Sequence, residues 1–159
     1  MIGIGWDSHR LVAGCPLILG GIRFDHDRGL AGHSDADVLC HAVTDALLGA
    51  AGLGDIGQRF PDNDERYRDA DSLALLGVVV GELGDRGLTV SHVDTTVLME
   101  APKLGARRQE IRDALAGALG VDVARVNVKA STGEGMGFVG RQEGVAALAV
   151  AALAVTPGG

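Results

Sequence analysis

Apolar positions along the chain switch repeatedly between strand-like and helical spacing. Residues 1–6 read as a buried strand. Leu17-Ile18-Leu19 and Ile22-Arg23-Phe24 read as short strands on either side of a Gly20-Gly21 turn. From Asp35 onward, Val38, Leu39, Val43, Ala46 and Leu47 recur at helical spacing, with Ser34 or Asp35 as cap and Gly49 or Gly52 as stop. Residues 53–69 carry no period and many turn formers, which predicts a long loop, a kind usually functional or mobile. A second helix is expected over 70–86, ending at Arg86-Gly87. A long β-branched strand follows over 88–100. Residues 103–119 return to helical period with Ile111, Leu115 and Leu119 on one face. Residues 126–132 read as a strand and 132–144 as a glycine-rich loop. The apolar run that closes the chain fits helix or strand equally by pattern.

Strands alternating with helices, without repeat or linker, predict a single α/β domain over residues 1–159, a sheet layered against helices. Hydrophobic residues make up 47% of the chain and aromatic ones only 3%, so the core is expected to be aliphatic. A net charge of −7 argues against a nucleic-acid partner, and any bound phosphate would need positive charge from a few side chains or from metal ions. No signal-like N-terminus is present, and the apolar stretch 144–155 falls short of the roughly 20 residues a membrane span needs, so a cytoplasmic protein with free Cys15 and Cys40 is expected.

Chemistry concentrates in a few places. On a strand, Asp7 and His9 (i, i+2) face one way; on a helix, Asp37, His41 and Asp45 share a face. Where strand and helix meet, one carboxylate and two imidazoles can form a three-ligand metal site with an open fourth position, Asp37 or Asp45 orienting His41. A histidine at a strand end, a turn-forming aspartate and a hydrogen-bonded core histidine are the ordinary alternatives. Cys40 diverges from His41 by about 100° on the helix and cannot readily share its metal. His33-Ser34 precedes a helix N-terminus, which suits either a phosphate or a plain cap. In "STGEGMGFVGR", Glu134 can hold Mg²⁺, Arg141 can grip a phosphate, and the glycines permit close backbone approach. Read blandly, that segment is a hairpin.

Taken together, "GIGWDSHRL", "GLAGHSDADVLCHAVTDALLGAAGLGDIGQRFPDND", "APKL" and "VNVKASTGEGMGFVGRQEG" closely resemble the 2-C-methyl-D-erythritol 2,4-cyclodiphosphate synthase family, collinearly over essentially the whole chain. The resemblance implies a lyase of the non-mevalonate isoprenoid pathway. Such an enzyme cyclises 4-diphosphocytidyl-2-C-methyl-D-erythritol 2-phosphate and releases CMP. It implies a mixed sheet with helices on one face, a homotrimer whose sheets surround a three-fold axis, and active sites between subunits. By this likeness the closing apolar run is a strand.

Carried over by position, Asp7, His9 and His41 match the zinc ligands and Glu134 the Mg²⁺ or Mn²⁺ ligand. His33 and Thr132 match the groups that position the reacting phosphates. Substrate contacts would come from Ser8 beside Asp7 and His9, from Ser34, and from Asp55, Ile56 and Gly57. Phe60, Pro61, Asp62, Asn63 and Asp64 complete the methylerythritol part. The cytidine diphosphate of a neighbouring subunit's site would be held by Met99, Glu100, Ala101, Pro102, Lys103, Leu104 and Gly105, with Ser131, Thr132, Gly133 and Glu134. Phe138 and Arg141 would point toward the trimer interior. Where the family often has Thr-Thr-Thr-Glu followed by Lys, this chain has Ser131-Thr132-Gly133-Glu134-Gly135, and a looser loop is expected. Trp6, where Phe is common, either lines the axial channel or fills core. Two rival readings are a zinc-dependent phosphohydrolase and a non-catalytic, metal-dependent nucleotide-binding trimer.

Overall fold

The computed structural model describes residues 1–156. Strand β1 (Ile2–Ala13) is followed by β2 (Leu17–Leu19), β3 (Ile22–Phe24) and β4 (Arg28–Ala31). Helix α1 (Val38–Ala51) leads through the short α2 (Ile56–Arg59) and a single 3₁₀ turn (Glu65–Tyr67) to α3 (Ser72–Asp85). Then come β5 (Leu88–Leu98), α4 (Arg107–Leu119), β6 (Val126–Ser131), the one-turn α5 (Gly137–Gly140) and β7 (Gly144–Val155). The main sheet runs β4-β1-β7-β5-β6, and β2-β3 form a separate hairpin. Only β5 and β6 pair in parallel, joined by the α4 crossover; the other neighbours are antiparallel, so the sheet is mixed.

The helices cover one face of the sheet. Leu39, Val43 and Leu47 of α1, Leu76, Val79 and Leu83 of α3, and Ile111, Leu115 and Leu119 of α4 meet Val93, Val97, Val128 and Val145 in an aliphatic core. The closing apolar run is β7, as the family resemblance implied. Alanine favours helix in isolation, but here both edges of the segment find partners, β1 on one side and β5 on the other.

Strand β1 is twice the expected length, because pairing with β7 and then β4 carries it on to Ala13. Asp7 and His9 therefore lie inside a strand rather than at its end. The strand is also not buried on both faces. Gly3, Gly5, Asp7, His9 and Leu11 point toward the helices, whereas Ile2 (76% exposed), Ile4 (66%) and Trp6 (50%) stand on the outer face. Trp6 is thus not a core filler.

Helix α1 begins at Val38 because Asp37, not Ser34 or Asp35, is its cap: the carboxylate accepts from the N–H groups of Leu39 and Cys40. Gly52, in the left-handed region at φ 69°, ends it. The expected loop over 53–69 contains α2 and the 3₁₀ turn, each started by an aspartate, Asp55 and Asp64.

Gly3 and Gly5 decide how near α1 comes to β1. A Cβ on Gly5 would fall on the Ala42 carbonyl and 2.7 Å from the Ala46 nitrogen; one on Gly3 would meet Ala46 and Ala50 backbone. Backbone cannot yield as a side chain does. Gly5→Ala is expected to lower stability by about 1–3 kcal/mol through overpacking, read as a shift in the urea midpoint at unchanged slope.

Candidate functional site

The close β1–α1 contact brings Asp7 and His9 against His41, one helical turn along from the cap. Asp7 Oδ2 lies 2.8 Å from His9 Nε2 and 2.9 Å from His41 Nδ1, and the two imidazole nitrogens are 3.2 Å apart. Around a tetrahedral ion with ligand bonds near 2.0 Å, donor atoms would stand on the order of 3.3 Å from one another. These three donors form the candidate metal centre among the described residues. His9 Nδ1–H donates to the Ala31 carbonyl at 3.0 Å, which leaves the Nε2 lone pair facing the cluster. Burial pushes the Asp7 carboxyl up, but hydrogen bonds and charge from His41 and His9 outweigh it and hold it down at about 2. Burial likewise lowers His9, and the Asp7 carboxylate more than reverses that, so its imidazole is raised above the ordinary value. Among one carboxylate and two imidazoles, such crowding suits a divalent cation.

The cluster forms the floor of a cavity of about 610 Å³. His33 and Ser34 line one side; Ile56, Gly57, Phe60, Pro61, Asp62 and Asn63 line the other. The chain thus gathers in one pocket most of the residues assigned to the methylerythritol phosphate and the first metal. His33 is held by its Nε2–H donating to the Asp64 carbonyl at 2.9 Å. Asp64 itself turns to Arg66, whose guanidinium hydrogen bonds keep its carboxyl down at about 2. Asp55 is spent on capping α2. Gly32, Tyr67 and Leu75 also line the pocket and were not singled out from sequence. Tyr67, the chain's one tyrosine, meets Phe60 edge to face with ring centroids 5.2 Å apart.

Neither acid expected to orient His41 does so. Asp37 is fully buried and collects four backbone N–H groups: Gly20 at 2.9 Å, Gly21 at 2.7 Å, Leu39 at 3.2 Å and Cys40 at 3.0 Å. It pins the β2–β3 turn to the start of α1. The Leu39 and Cys40 N–H groups at that helix start are taken by this carboxylate and not offered to a phosphate. Asp45 accepts from the Ile56 N–H at 3.0 Å and anchors the pocket wall instead. The rear nitrogen of His41, Nε2, faces two hydroxyls, Ser72 Oγ at 2.8 Å and Ser34 Oγ at 3.1 Å. Sequence spacing offered no sign of Ser72, which lies on another helix.

The remaining candidates form a second cluster where β5 and β6 end side by side. Met99 N–H donates to the Ser131 carbonyl at 2.9 Å, and Gly133 N–H to Glu100 Oε1 at 2.6 Å. Thr132, Glu134 and Lys103 belong to this cluster's segments, none of which lines the pocket in the same chain. In the 132–137 loop, Met136 N–H returns to the Gly133 carbonyl at 2.8 Å, and Gly133 packs against Gly140 backbone. Glu134 holds φ 53°, a left-handed conformation costly for a side-chain-bearing residue. Ser8 points to the outer sheet face, away from Asp7, beside a hollow that it shares with Phe138. Arg141 is paired with Glu143 at 2.9 Å.

Fold and site together define a class: a two-layer α/β protein with three donors, Asp7, His9 and His41, that could hold a metal ion at a pocket. The YgbB family matches residues 1–154, and the chain belongs to that family. It is similar to the 2-C-methyl-D-erythritol 2,4-cyclodiphosphate synthase of Salinibacter ruber, 59% identical over 152 residues that cover 96% of this chain and 97% of that protein. It is 56% identical over 151 residues to the bifunctional enzyme IspD/IspF of Anaeromyxobacter dehalogenans, covering 95% of this chain but spanning only 39% of that relative's length. A solved 2C-methyl-D-erythritol-2,4-cyclodiphosphate synthase in its CDP-bound form superposes with a TM-score of 0.89 at 38% identity, covering 97% of this chain and all of that one.

Removing the Asp37 carboxylate strands four backbone donors at once. Asp37→Ala is expected to cost about 3 kcal/mol or more, measured by chemical denaturation. Metal uptake by whatever fraction stays folded should remain stoichiometric, since the Asp37 side chain does not touch the His41 imidazole and its backbone carbonyl, which accepts the His41 N–H, is kept in the variant.

Proposed function

We propose that the chain cyclises 4-diphosphocytidyl-2-C-methyl-D-erythritol 2-phosphate to the 2,4-cyclodiphosphate with release of CMP. The observation that carries this reading is the convergence of Asp7, His9 and His41 at a pocket of about 610 Å³. Its support comes also from synthase relatives matched along nearly their whole length and from a CDP-bound neighbour.

In this reaction the substrate's own 2-phosphate oxygen attacks the β-phosphorus. The new P–O bond closes the ring, the bond between the β-phosphorus and the bridging oxygen breaks, and that oxygen leaves with CMP. The nucleophile is already ionised at neutral pH, so positioning and charge neutralisation do most of the work. Asp7, His9 and His41 would hold Zn²⁺, and Glu134 would hold Mg²⁺ or Mn²⁺; bound there, such ions supply Lewis acidity and the positive charge that a −7 chain lacks. His33, fixed by the Asp64 carbonyl, orients a phosphate at the pocket rim. Thr132 serves the same end from the second cluster. The wall of Ile56, Gly57, Phe60 and Pro61 encloses the carbon skeleton, and Asp62 and Asn63 address its hydroxyls.

The two clusters become one site if copies of the chain assemble. We assign a homotrimer with the sheets around a three-fold axis, in which residues 99–105 and 131–134 of one copy hold the cytidine diphosphate over the metal centre of the next. The outer sheet face supports this: Ile2, Ile4, Trp6 and Val150 are all exposed there, and such contiguous apolar surface is an association surface. Residues 1–159 would act as a single cyclodiphosphate synthase domain in the cytoplasm. Among the described residues no helix is long and apolar enough to cross a membrane.

The deciding assay is CMP release from the diphosphocytidyl substrate with and without a chelator. A cyclic product formed without net water excludes the phosphohydrolase reading, and CDP binding without turnover would mean a nucleotide-binding protein. His41→Ala is expected to lose zinc by elemental analysis, and turnover with it, while the oligomer persists. Glu134→Gln should raise the Mg²⁺ concentration needed for half-maximal rate by roughly tenfold and leave the thermal midpoint almost unmoved; a wild-type Mg²⁺ titration would refute its assignment.

A further inference from the structure

Behind the metal centre runs a chain of hydrogen bonds that reaches from His41 to a carboxylate on the loop before α1. Ser72, at the first turn of α3, is buried, and its hydroxyl donates to Asp35 Oδ1. The same carboxylate is fixed by two backbone donors, Ser72 N–H to Oδ2 at 3.1 Å and Asp37 N–H to Oδ1 at 3.2 Å. A serine hydroxyl has one proton. With that proton given to Asp35, Ser72 Oγ faces His41 Nε2 at 2.8 Å as an acceptor only. Nε2 must therefore carry the imidazole proton, and the lone pair of a neutral His41 is on Nδ1, the nitrogen 2.9 Å from Asp7 Oδ2. Ser34 Oγ, 3.1 Å from the same Nε2, completes the cradle.

We infer that Ser72, oriented by Asp35, is a positioning residue for the metal centre: it sets the tautomer and the ring plane of His41 so that Nδ1 is presented as a ligand. The inference rests on the metal-binding reading of Asp7, His9 and His41. It gives His41 the same construction as His9, whose far nitrogen donates to the Ala31 carbonyl. Partners of this kind typically set metal affinity by factors of roughly 10 to 100.

The test is a titration of the metal-free protein with Co²⁺ alone, followed by its visible d–d absorption, with a competing chelator to obtain the affinity. Ser72→Ala keeps the backbone N–H that bonds Asp35, so its metal-free thermal midpoint should stay near wild type. Its Co²⁺ affinity is expected to fall by roughly 10- to 100-fold, with displaced or weakened bands as the imidazole loses its fixed plane. Asp35→Asn, which replaces one of the two acceptor oxygens by an N–H donor and so breaks the set of bonds that orients Ser72, should change the bands in the same direction. A Ser72→Ala protein with wild-type affinity and spectrum overturns the inference. So does a loss of affinity matched by an equal loss of metal-free stability with unaltered bands, which would mark a merely structural serine. Should Ser72→Ala not fold, an unaltered spectrum in Asp35→Asn overturns it. Failure of the wild-type protein to take up Co²⁺ is a different result, for it refutes the metal centre itself.

Discussion

The close seating of helix α1 on strand β1 is the contact on which the rest depends. Two missing side chains, at Gly3 and Gly5, allow helix backbone to approach strand backbone where any Cβ would collide. The next inward positions on the same strand are Asp7 and His9. The inward face of β1 thus runs from residues that permit contact to residues that use it. His41 arrives within 3 Å of Asp7 because the helix axis is held that near. Burying an acid and two imidazoles together is unfavourable without mutual compensation, and the depressed Asp7 carboxyl and raised His9 imidazole record that compensation.

Around this contact, aspartates divide the labour of a chain poor in cations. Asp37 ties a glycine turn to the start of α1, Asp45 ties the pocket wall to its middle, and Asp35 reaches across to α3. Each satisfies backbone N–H groups that would otherwise be buried without partners. The negative charge of the chain is thereby partly a structural resource, spent on holding loops around the cavity.

The outer face of the sheet has the opposite character. Its exposed Ile2, Ile4 and Trp6 sit on the same strand as Asp7 and His9, two of the three candidate metal donors, one residue out of phase with them. A slip of one residue in the register of this strand would exchange its apolar outer face for the side chains that face α1. The pocket and the β5–β6 cluster lie apart within one chain.

Much of this was legible in the chain itself. Helical period located α1, α3 and α4, because each buries one apolar stripe against the sheet. Spacing set Asp7 beside His9 on one strand face and offered His41 on a helix face as a further donor, with ordinary structural roles open for each, and the family resemblance joined the three as one ligand set. The family resemblance supplied β7, where an alanine-rich run is ambiguous until its two neighbours are known. Other features were decided by tertiary structure alone. Asp37 and Asp45 stood at the right helical spacing to serve His41, yet both turned to backbone donors on loops distant in sequence. Ser72 lies on a different helix, and only the packing of α3 against α1 brings its hydroxyl to Nε2. Sequence determines which residues can face one another along a single element; which residue of another element completes a hydrogen bond depends on how the elements pack, and no local period encodes that.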